Sequence, residues 1–510
     1  MRTSNTKKNI IYSFGNIVLI TLLNIIYRTI FIHQLGIEYL GVNAALVNVI
    51  TLLSLAEMGV AQSISYYLYK PLKDKDNNTI SSWMSFFKKI YIGVGFFVLF
   101  VGFLLSFFIA YLIPVTTVSI NELRLLLFLF VLSASITYFW GYKRTLIIAD
   151  QKNYEIIKAI SISQLIELLL KILILIYTQS MVATIVIQIV VKVFENIYIN
   201  SYINKKYQTI FAFKNSPLSK ESLLSFKVKI RSIFFHKIGD VFVNGTDNLI
   251  ISALIGVSVL GVFSNYAMLI AMSTTIVLVI FNSITSSLGN LIADDSSKTE
   301  SIFNSIQMIS VWIFGLISIS FYFLIQDFIT LWIGNEYLLP NSTVSLMAVN
   351  FFFLGLRVPL NLVKTAAGAF EKDQYAPLVQ GVLNLVISIA LCKQYGIDGV
   401  LLGTLISVLI VPFWTQPYVV YKLVFNVSIF VYFKKLIVIF SLVSGSILFI
   451  WCLLGLFDVL FKLESLFLTI ICKLTIILIG INLFYYMFFY NRDEFYVVKQ
   501  KIYSVNGRNG

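Results

Sequence analysis

The stretch LGIEYLGV at residues 35–42 recurs as IGVSVLGV at residues 255–262. The same offset of about 220 residues aligns further identical residues: Phe14 with Phe234, Asn24 with Asn244, Ile30 with Ile250, and Thr145 with Thr365. Both copies adjoin apolar runs long enough to cross a bilayer. Two related halves in a membrane predict two lobes that rock about a shared midplane site, as in many transporters.

The composition is that of a membrane protein. Apolar residues make up 58% of the 510-residue chain and charged residues only 12%, about half the charge of an ordinary soluble protein. The apolar runs are about 18 to 25 residues long, the length of a helix that crosses a hydrocarbon core of about 30 Å. We predict spans at 10–32, 40–65, 88–112, 123–143, 157–178, 182–203, 232–254, 260–283, 303–326, 342–363, 376–393, 399–421, 434–456 and 465–488.

The predicted fold is therefore an all-α polytopic membrane protein with 14 transmembrane helices, in two pseudo-symmetric six-helix lobes plus a C-terminal helix pair. Residues 1–203 form the N-lobe (spans 1 to 6) and residues 232–421 form the C-lobe (spans 7 to 12). Residues 204–231 form a basic cytoplasmic linker that lies against anionic membrane lipids. Residues 422–510 contain spans 13 and 14 and a cytoplasmic tail.

The basic residues orient the chain in the membrane. They cluster in alternate loops: Lys70, Lys73 and Lys75; Lys143, Arg144 and Lys152; and seven residues between Lys205 and Arg231. This positive-inside pattern predicts a multi-pass protein with both termini in the cytoplasm. Topology and anionic lipid explain the net charge of +14. A nucleic-acid site would need a folded basic domain, and no soluble stretch is long enough to form one.

Polar residues inside spans are costly and mark candidate functional positions. His236, Asp240, Asn244 and Asp247 share one face of span 7, with Lys237 beside it. On span 1, Asn24 and Arg28 continue a similar stripe that begins at Ser13. Such stripes face protein or water, because lipid cannot satisfy their hydrogen bonds.

The repeat places Arg28 at the depth of Asn248, next to Asp247. We hypothesise that Arg28 and Asp247 pair when the outer end of a central cavity closes and separate when it opens. The alternative is that each residue belongs to a local network in its own lobe. Asp240 and Glu57 join Asp247 as candidates for gating or for coupling to a cation.

The other intramembrane charged residues either have an opposite charge within about one helical turn or have none. Glu167 and Lys171 are spaced i, i+4 and are predicted to neutralise each other, and Lys192 and Glu195 suggest the same. Arg357 has no partner within a turn and precedes Pro359, whose ring frees helix carbonyls, so it is a candidate for the cavity.

The candidate substrate-binding residues are Arg28, Arg357, His236, Lys237, Asn24 and Asn244. A guanidinium group binds phosphate in a bidentate fork, and asparagine suits sugars, so this set favours a phosphate-bearing glycan. The chain contains no nucleotide-binding GxxxxGK[ST] and no HExxH. We expect no catalytic residue, no metal and no cofactor, and we predict that the chain is not an enzyme.

Five segments resemble the multidrug/oligosaccharidyl-lipid/polysaccharide exporter superfamily, and within it the bacterial polysaccharide-repeat (Wzx-like) flippases. They are LGIEYLGVN (35–43), LSLAEMGV (53–60), YYLYKPL (66–72), HKIGD (236–240) and TDNLIIS (246–252). The resemblance covers essentially the whole chain, since span count, loop lengths and repeat agree. The two aspartates on span 7 depart from a purely cationic cavity and favour a gating role for that span.

The resemblance implies a flippase of the bacterial plasma membrane. Such proteins carry an undecaprenyl-diphosphate-linked oligosaccharide to the outer leaflet for surface, capsule-like polysaccharide. It makes Arg28 and Arg357 candidates for the diphosphate and spans 13 and 14 candidates for the polyprenyl path. H⁺ or Na⁺ is a candidate coupling ion, and a polysaccharide polymerase a candidate partner.

Two alternatives stay open from the residues alone. A cation-coupled multidrug antiporter has the same architecture, but those relatives have twelve spans. A membrane-embedded polysaccharide polymerase or ligase is disfavoured because the longest outer loop, 327–341, is only about 15 residues long.

Overall fold

The apolar runs form helices throughout the computed structural model, which describes residues 2–57, 60–213, 217–284, 288, 296–461, 463–496 and 499. No β-strand occurs within these ranges. The described chain separates into two compact units, Met1–Ser264 and Asn265–Gly510.

The first unit is built from long helices joined by short turns. Its described helices of eight residues or more are α1 (Arg2–Leu35), α2 (Ile37–Leu53), α3 (Val60–Asp74), α4 (Asn77–Ser106), α5 (Ile120–Ala149), α6 (Tyr154–Thr178), α7 (Met181–Lys206), α8 (Lys220–Gly245), α9 (Asp247–Leu254) and the start of α10 (Val257–Asn282). Here α5 packs between α4 and α7, α6 packs on α1 and α7, and α2 contacts α8 and α9.

The second unit contains the rest of α10 and the helices that follow it. These are α11 (Ser296–Trp332), α12 (Asn341–Ala366), α13 (Ala376–Tyr395), α14 (Ile397–Ile410), the short helix Pro412–Pro417, the π-helical turn Tyr418–Val424, α15 (Ile429–Leu460) and α16 (Leu466–Phe489). The predicted C-terminal pair, α15 and α16, packs on α11. Trp312 Nε1 donates to Asn482 Oδ1 at 2.9 Å, and Lys473 lies 3.5 Å from Asp327 and 3.4 Å from Asp458. These contacts tie spans 13 and 14 to span 9.

The prediction of an all-helical, multi-pass membrane protein is confirmed. In the described ranges, eleven helices are long and apolar enough to cross a membrane; α2 is a shorter apolar helix, and Leu19–Leu35 is the apolar part of α1 whose side chains are described. The predicted seventh span, 232–254, is helical and is interrupted at Thr246, between α8 and α9. Most of its side chains before Val241 lie outside the described part of the structure.

The second predicted span was drawn too long. It was predicted to run unbroken over 40–65, whereas α2 ends at Leu53 and α3 begins at Val60. A 3₁₀ turn over Ser54–Ala56 follows α2, and the hydroxyl of Ser54 donates to the Thr51 carbonyl at 2.7 Å. Serine competes for backbone groups in this way and weakens a helix.

The predicted block boundaries at 203, 231 and 421 stay a prediction. Helix α8 begins at Lys220, inside the segment predicted as a linker. Phe226 on that helix is 3% exposed and packs on the rings of Tyr67, Trp83 and Phe87. Its apolar side chain is therefore held by α3 and α4.

Lipid-facing surfaces are visible as exposed apolar side chains along spans. On α4, Phe96, Phe100 and Phe103 are each more than half exposed, while Phe87, Tyr91 and Val98 of the same helix are buried. A helix with one apolar face inside and another outside is what lipid surroundings require. This pattern agrees with a membrane-embedded unit.

Candidate functional site

Arg28 is bonded inside the first unit by a hydroxyl that lies just past the second copy of the repeated stretch. It lies on α1, one turn after the half-buried Asn24, and its Nη2 donates to Ser264 Oγ near the start of α10. Ser264 Oγ in turn donates to the carbonyl of Gly261 at 2.7 Å. The guanidinium therefore contacts the helix that carries the second copy of the repeated stretch, at a residue two positions past the end of that copy.

The partner predicted for Arg28 was Asp247. Asp247 is the first residue of α9 and is half-buried, and the preceding Thr246 turns its hydroxyl back onto the Phe242 carbonyl at 2.6 Å. The pairing of Arg28 with Asp247 stays a prediction. The other span-7 candidates, His236, Lys237, Asp240 and Asn244, lie on α8, and their side chains are outside the described part of the structure.

Glu57 lies at the interruption between α2 and α3. Its carboxylate lies beside the phenol of Tyr91 on α4, and Tyr91 also lies close to Thr145 on α5. Tyr138, seven residues before Thr145 on the same face of α5, lies close enough to Glu57 to interact with it electrostatically. The Glu57 carboxylate therefore lies among tyrosine side chains. Thr145, one of the residues that the repeat aligns, lies close to one of them, Tyr91.

Arg357 is partnered across helices in the second unit. Its Nε donates to Gln416 Oε1 at 3.2 Å, and Gln416 lies in the short helix Pro412–Pro417. Helix α12 continues past Pro359, and the carbonyl of Gly355, four residues earlier, accepts from the Ser310 hydroxyl at 2.7 Å. The carbonyl that proline frees is therefore satisfied by protein.

One of the two predicted ion pairs is confirmed and the other is wrong. Lys171 Nζ lies 2.9 Å from Glu167 Oε1 and donates to Gln188 on α7 at 2.6 Å. Glu195, predicted to pair with Lys192, instead binds Arg144 of α5 at 2.7 Å. Arg144 also donates to the neighbouring Asn196 at 3.0 Å, because a planar guanidinium can serve two adjacent acceptors.

The second unit carries an apolar groove along α15. It has a volume of about 360 Å³ and is lined from α11 by Tyr322, from α12 by Val349 and Phe352, and from α15 by Phe440 and Ile447. The walls are mostly hydrocarbon, with three serines and one tyrosine among the lining residues. A groove of this character suits a lipid chain.

The sequence predicted the charged members of these contacts and missed their neutral partners. Ser264, Tyr91 and Gln416 carry no charge and sit in apolar runs, so nothing in their spacing set them apart. For Gln416 a signal existed: an amide between Pro412 and Pro417 in a predicted span is expensive unless it is paired.

Sequence comparisons find no relative. No family model matches the chain, and no curated protein matches it.

Comparison of folds finds clear neighbours among solved structures. The lipid II flippase MurJ in an inward closed conformation superposes with a TM-score of 0.67 at 14% identity, covering 94% of this chain and 99% of that one. An inward-facing multidrug resistance MATE family transporter of the MOP superfamily gives 0.63 at 14%, covering 78% and 94%. The MATE multidrug transporter DinF-BH gives 0.56 at 12%, covering 82% and 97%.

Each of these three proteins is described as a flippase or a transporter. Their identity to this chain is low, so the match is one of fold. The chain has the fold of the MOP-superfamily transporters.

Proposed function

We propose that this protein flips a polyprenyl-diphosphate-linked oligosaccharide from the inner to the outer leaflet of the bacterial plasma membrane, for surface polysaccharide. The observation that carries the proposal is the extent of the fold match. The lipid II flippase accounts for 94% of the chain, whereas the drug transporters leave about a fifth of it unmatched. The orientation follows the positive-inside pattern, with both termini in the cytoplasm.

The apolar groove supports a lipid substrate. The groove has a volume of about 360 Å³ and lies between α11, α12 and α15. Helix α15 is the predicted span 13, so span 13 forms one wall, as expected from the family resemblance. A polyprenyl chain needs a continuous apolar surface and no hydrogen bonds. We assign this groove to the tail of the substrate, with Arg28 and Arg357 as candidates for its diphosphate.

A gate at Arg28 is part of the proposal. The guanidinium contacts Ser264 in this structure, and pairing with Asp247 belongs to another step of the cycle. Disulfide trapping tests it: Arg28→Cys with Asp247→Cys, in a chain whose Cys392, Cys452 and Cys472 are replaced by serine. Cross-linking needs Cβ atoms about 3.5–4.5 Å apart, and failure in every transport condition refutes the pairing.

We assign to Glu57 the coupling of transport to an ion gradient. Among the intramembrane glutamates described in the first unit, Glu167 and Glu195 are paired with cations, while Glu57 lies beside the neutral phenol of Tyr91. A carboxylate beside a neutral hydroxyl can exchange a proton without breaking an ion pair. H⁺ is therefore the ion that this site favours.

A cation-coupled multidrug antiporter is the second candidate. The match to a MATE transporter at a TM-score of 0.63 favours it. A glycan polymerase has no comparable support.

One experiment separates the candidates. The protein is depleted in its host, and membrane lipids and dye efflux are measured together. A flippase predicts complete single repeat units on polyprenyl diphosphate, retained in the inner leaflet, with efflux unchanged. Loss of dye efflux without lipid accumulation would establish the antiporter instead.

A further inference from the structure

A small cavity with a charged rim lies at one end of the second unit, separate from the apolar groove. Its volume is about 180 Å³, below the 300–1,000 Å³ of ordinary small-molecule sites. The start of α11, the π-helical turn, the start of α15 and the chain after α16 all contribute to its lining. Because α15 begins and α16 ends here, the cavity lies on the side predicted to be cytoplasmic.

Two buried polar atoms of the lining lack a hydrogen bond. Tyr421 is fully buried and Gln307 is 7% exposed, and neither the Tyr421 hydroxyl nor Gln307 Oε1 has a partner in the described structure. Leaving such a group unpaired costs about 1–3 kcal/mol. Tyr421 also belongs to the π-helical turn Tyr418–Val424, a conformation that is frequent at functional sites. One donor and one acceptor thus lie unsatisfied in residues that line the cavity.

The charges around the cavity are balanced. Lys435 Nζ donates to Asn304 at 2.8 Å, lies 3.6 Å from Glu300 and sits over the Tyr421 ring. The Arg492 guanidinium lies 5.2 Å from the centre of the Phe488 ring. Glu494 completes the lining. Two cations and two carboxylates favour a ligand that carries both signs over a net anion.

Apolar side chains continue the cavity toward lipid. Val438 and Leu442 follow Lys435 along α15 and line the same space, and Val438 is 40% exposed. A ligand bound here would have its polar end at Lys435 and Arg492 and its apolar end along α15. A membrane phospholipid has this form.

We propose that this cavity binds the zwitterionic head group of a phospholipid, a phosphate with a primary ammonium group, as in phosphatidylethanolamine. The phosphate is bound by Lys435, Arg492 and the Tyr421 hydroxyl. The ammonium donates to Gln307 Oε1 and the Glu494 carboxylate. The lipid fixes the segment after α16 to α11 and α15, and so acts as a structural lipid distinct from the substrate.

The test uses the full chain, purified and stripped of lipid in detergent. Phosphatidylethanolamine, phosphatidylglycerol and phosphatidylcholine are added separately, and bound lipid is counted by native mass spectrometry alongside the melting temperature. We expect phosphatidylethanolamine to bind at least tenfold more tightly than the other two, since phosphatidylglycerol lacks the ammonium and phosphatidylcholine cannot donate from it. Soluble glycerophosphoethanolamine, which has the head group without the chains, is expected to bind far more weakly.

Variants locate the binding. Tyr421→Phe removes one hydroxyl without changing the packing, and Arg492→Gln removes an exposed charge, so both proteins are expected to fold. Each should reduce phosphatidylethanolamine binding about tenfold, the loss of one charge-assisted hydrogen bond. Lys434→Gln, at the exposed neighbour of Lys435, is the matched control and should bind normally. Equal binding of phosphatidylglycerol, or full binding by both variants, would overturn the proposal.

Discussion

Gly41 and Gly261 make the same contact in opposite directions. A Cβ atom on Gly41 would overlap the carbonyl of Val257, and a Cβ atom on Gly261 would overlap the carbonyl of Ile37. Gly41 corresponds to Gly261, and Ile37 to Val257, at the repeat offset of about 220 residues. The repeated stretches therefore pack on each other through a pseudo-two-fold contact inside the first unit, and their glycines permit the close approach. Small residues serve membrane helices in this way.

Gly41→Ala and Gly261→Ala are expected to destabilise the protein. Each inserts a methyl group against backbone, which cannot move aside as a side-chain tip can, and overpacking of this kind costs about 1–3 kcal/mol. Thermal unfolding in detergent measures the loss. Gly93→Ala is the control, because a Cβ atom there meets nothing within 4 Å, and it should be neutral or mildly stabilising. Equal stability of all three variants would show that the contact is loose.

Arg28→Ala is expected to reduce surface glycan strongly while protein abundance stays normal. Arg28→Lys should restore output only in part, because an ammonium lacks the bidentate fork that a diphosphate requires. Ser264→Ala removes the hydroxyl that Arg28 contacts, and of the three substitutions it should reduce surface glycan least. Arg124→Ala, at an exposed arginine on α5, controls for loss of charge. Normal glycan output with Arg28→Ala would remove Arg28 from the transport site.

The fold could be predicted from the sequence because its signals are local or periodic. An apolar run of span length predicts a helix by itself. The two similar stretches that contain Gly41 and Gly261 indicate the repeat. The contacts within the site could not be predicted in this way. Glu195 has Lys192 a turn away on its own helix, yet it binds Arg144 of another, and no spacing along the chain encodes which helices become neighbours. The interruption beyond Leu53 was likewise missed, although Glu57 lies beside it, because one charge in a long, mostly apolar run does not show where a helix ends.

Glu57→Gln is expected to uncouple transport from a proton gradient. Glutamine keeps the size of the side chain beside Tyr91, so the fold should persist while proton exchange is lost. Flipping is measured in proteoliposomes with and without an imposed pH difference. Tyr91→Phe should shift the pH at which transport is half-maximal without abolishing coupling. A Glu57→Gln protein that still responds fully to the gradient would exclude this carboxylate.

Asp76 caps helix α4 and introduces a pH dependence at a loop. It accepts from the Thr79 hydroxyl at 2.6 Å and from the Thr79 amide at 3.0 Å, and these hydrogen bonds lower the pKa of its carboxyl. A lowered folded-state pKa stabilises the cap above the ordinary aspartate value, and this contribution is lost as the pH falls through the folded pKa. The protection of amides 77–80, measured relative to their intrinsic exchange rate at each pH, should therefore fall in acid. Asp76→Ala should show low protection at all pH values, and Asp76→Asn should keep the cap without the pH response.

Ser310 and Pro359 form a testable pair on α11 and α12. Ser310→Ala leaves the buried Gly355 carbonyl, freed by Pro359 and bonded by Ser310 at 2.7 Å, without its donor. The expected cost is about 1–3 kcal/mol. Pro359→Ala supplies a backbone N–H that can bond the same carbonyl within the helix. The double variant should then lose much less stability than Ser310→Ala does in the wild-type helix, a coupling that a double-mutant cycle in thermal unfolding measures directly. Strict additivity would mean that the cost of removing the Ser310 hydroxyl does not depend on Pro359, and that the two changes do not act on the same carbonyl.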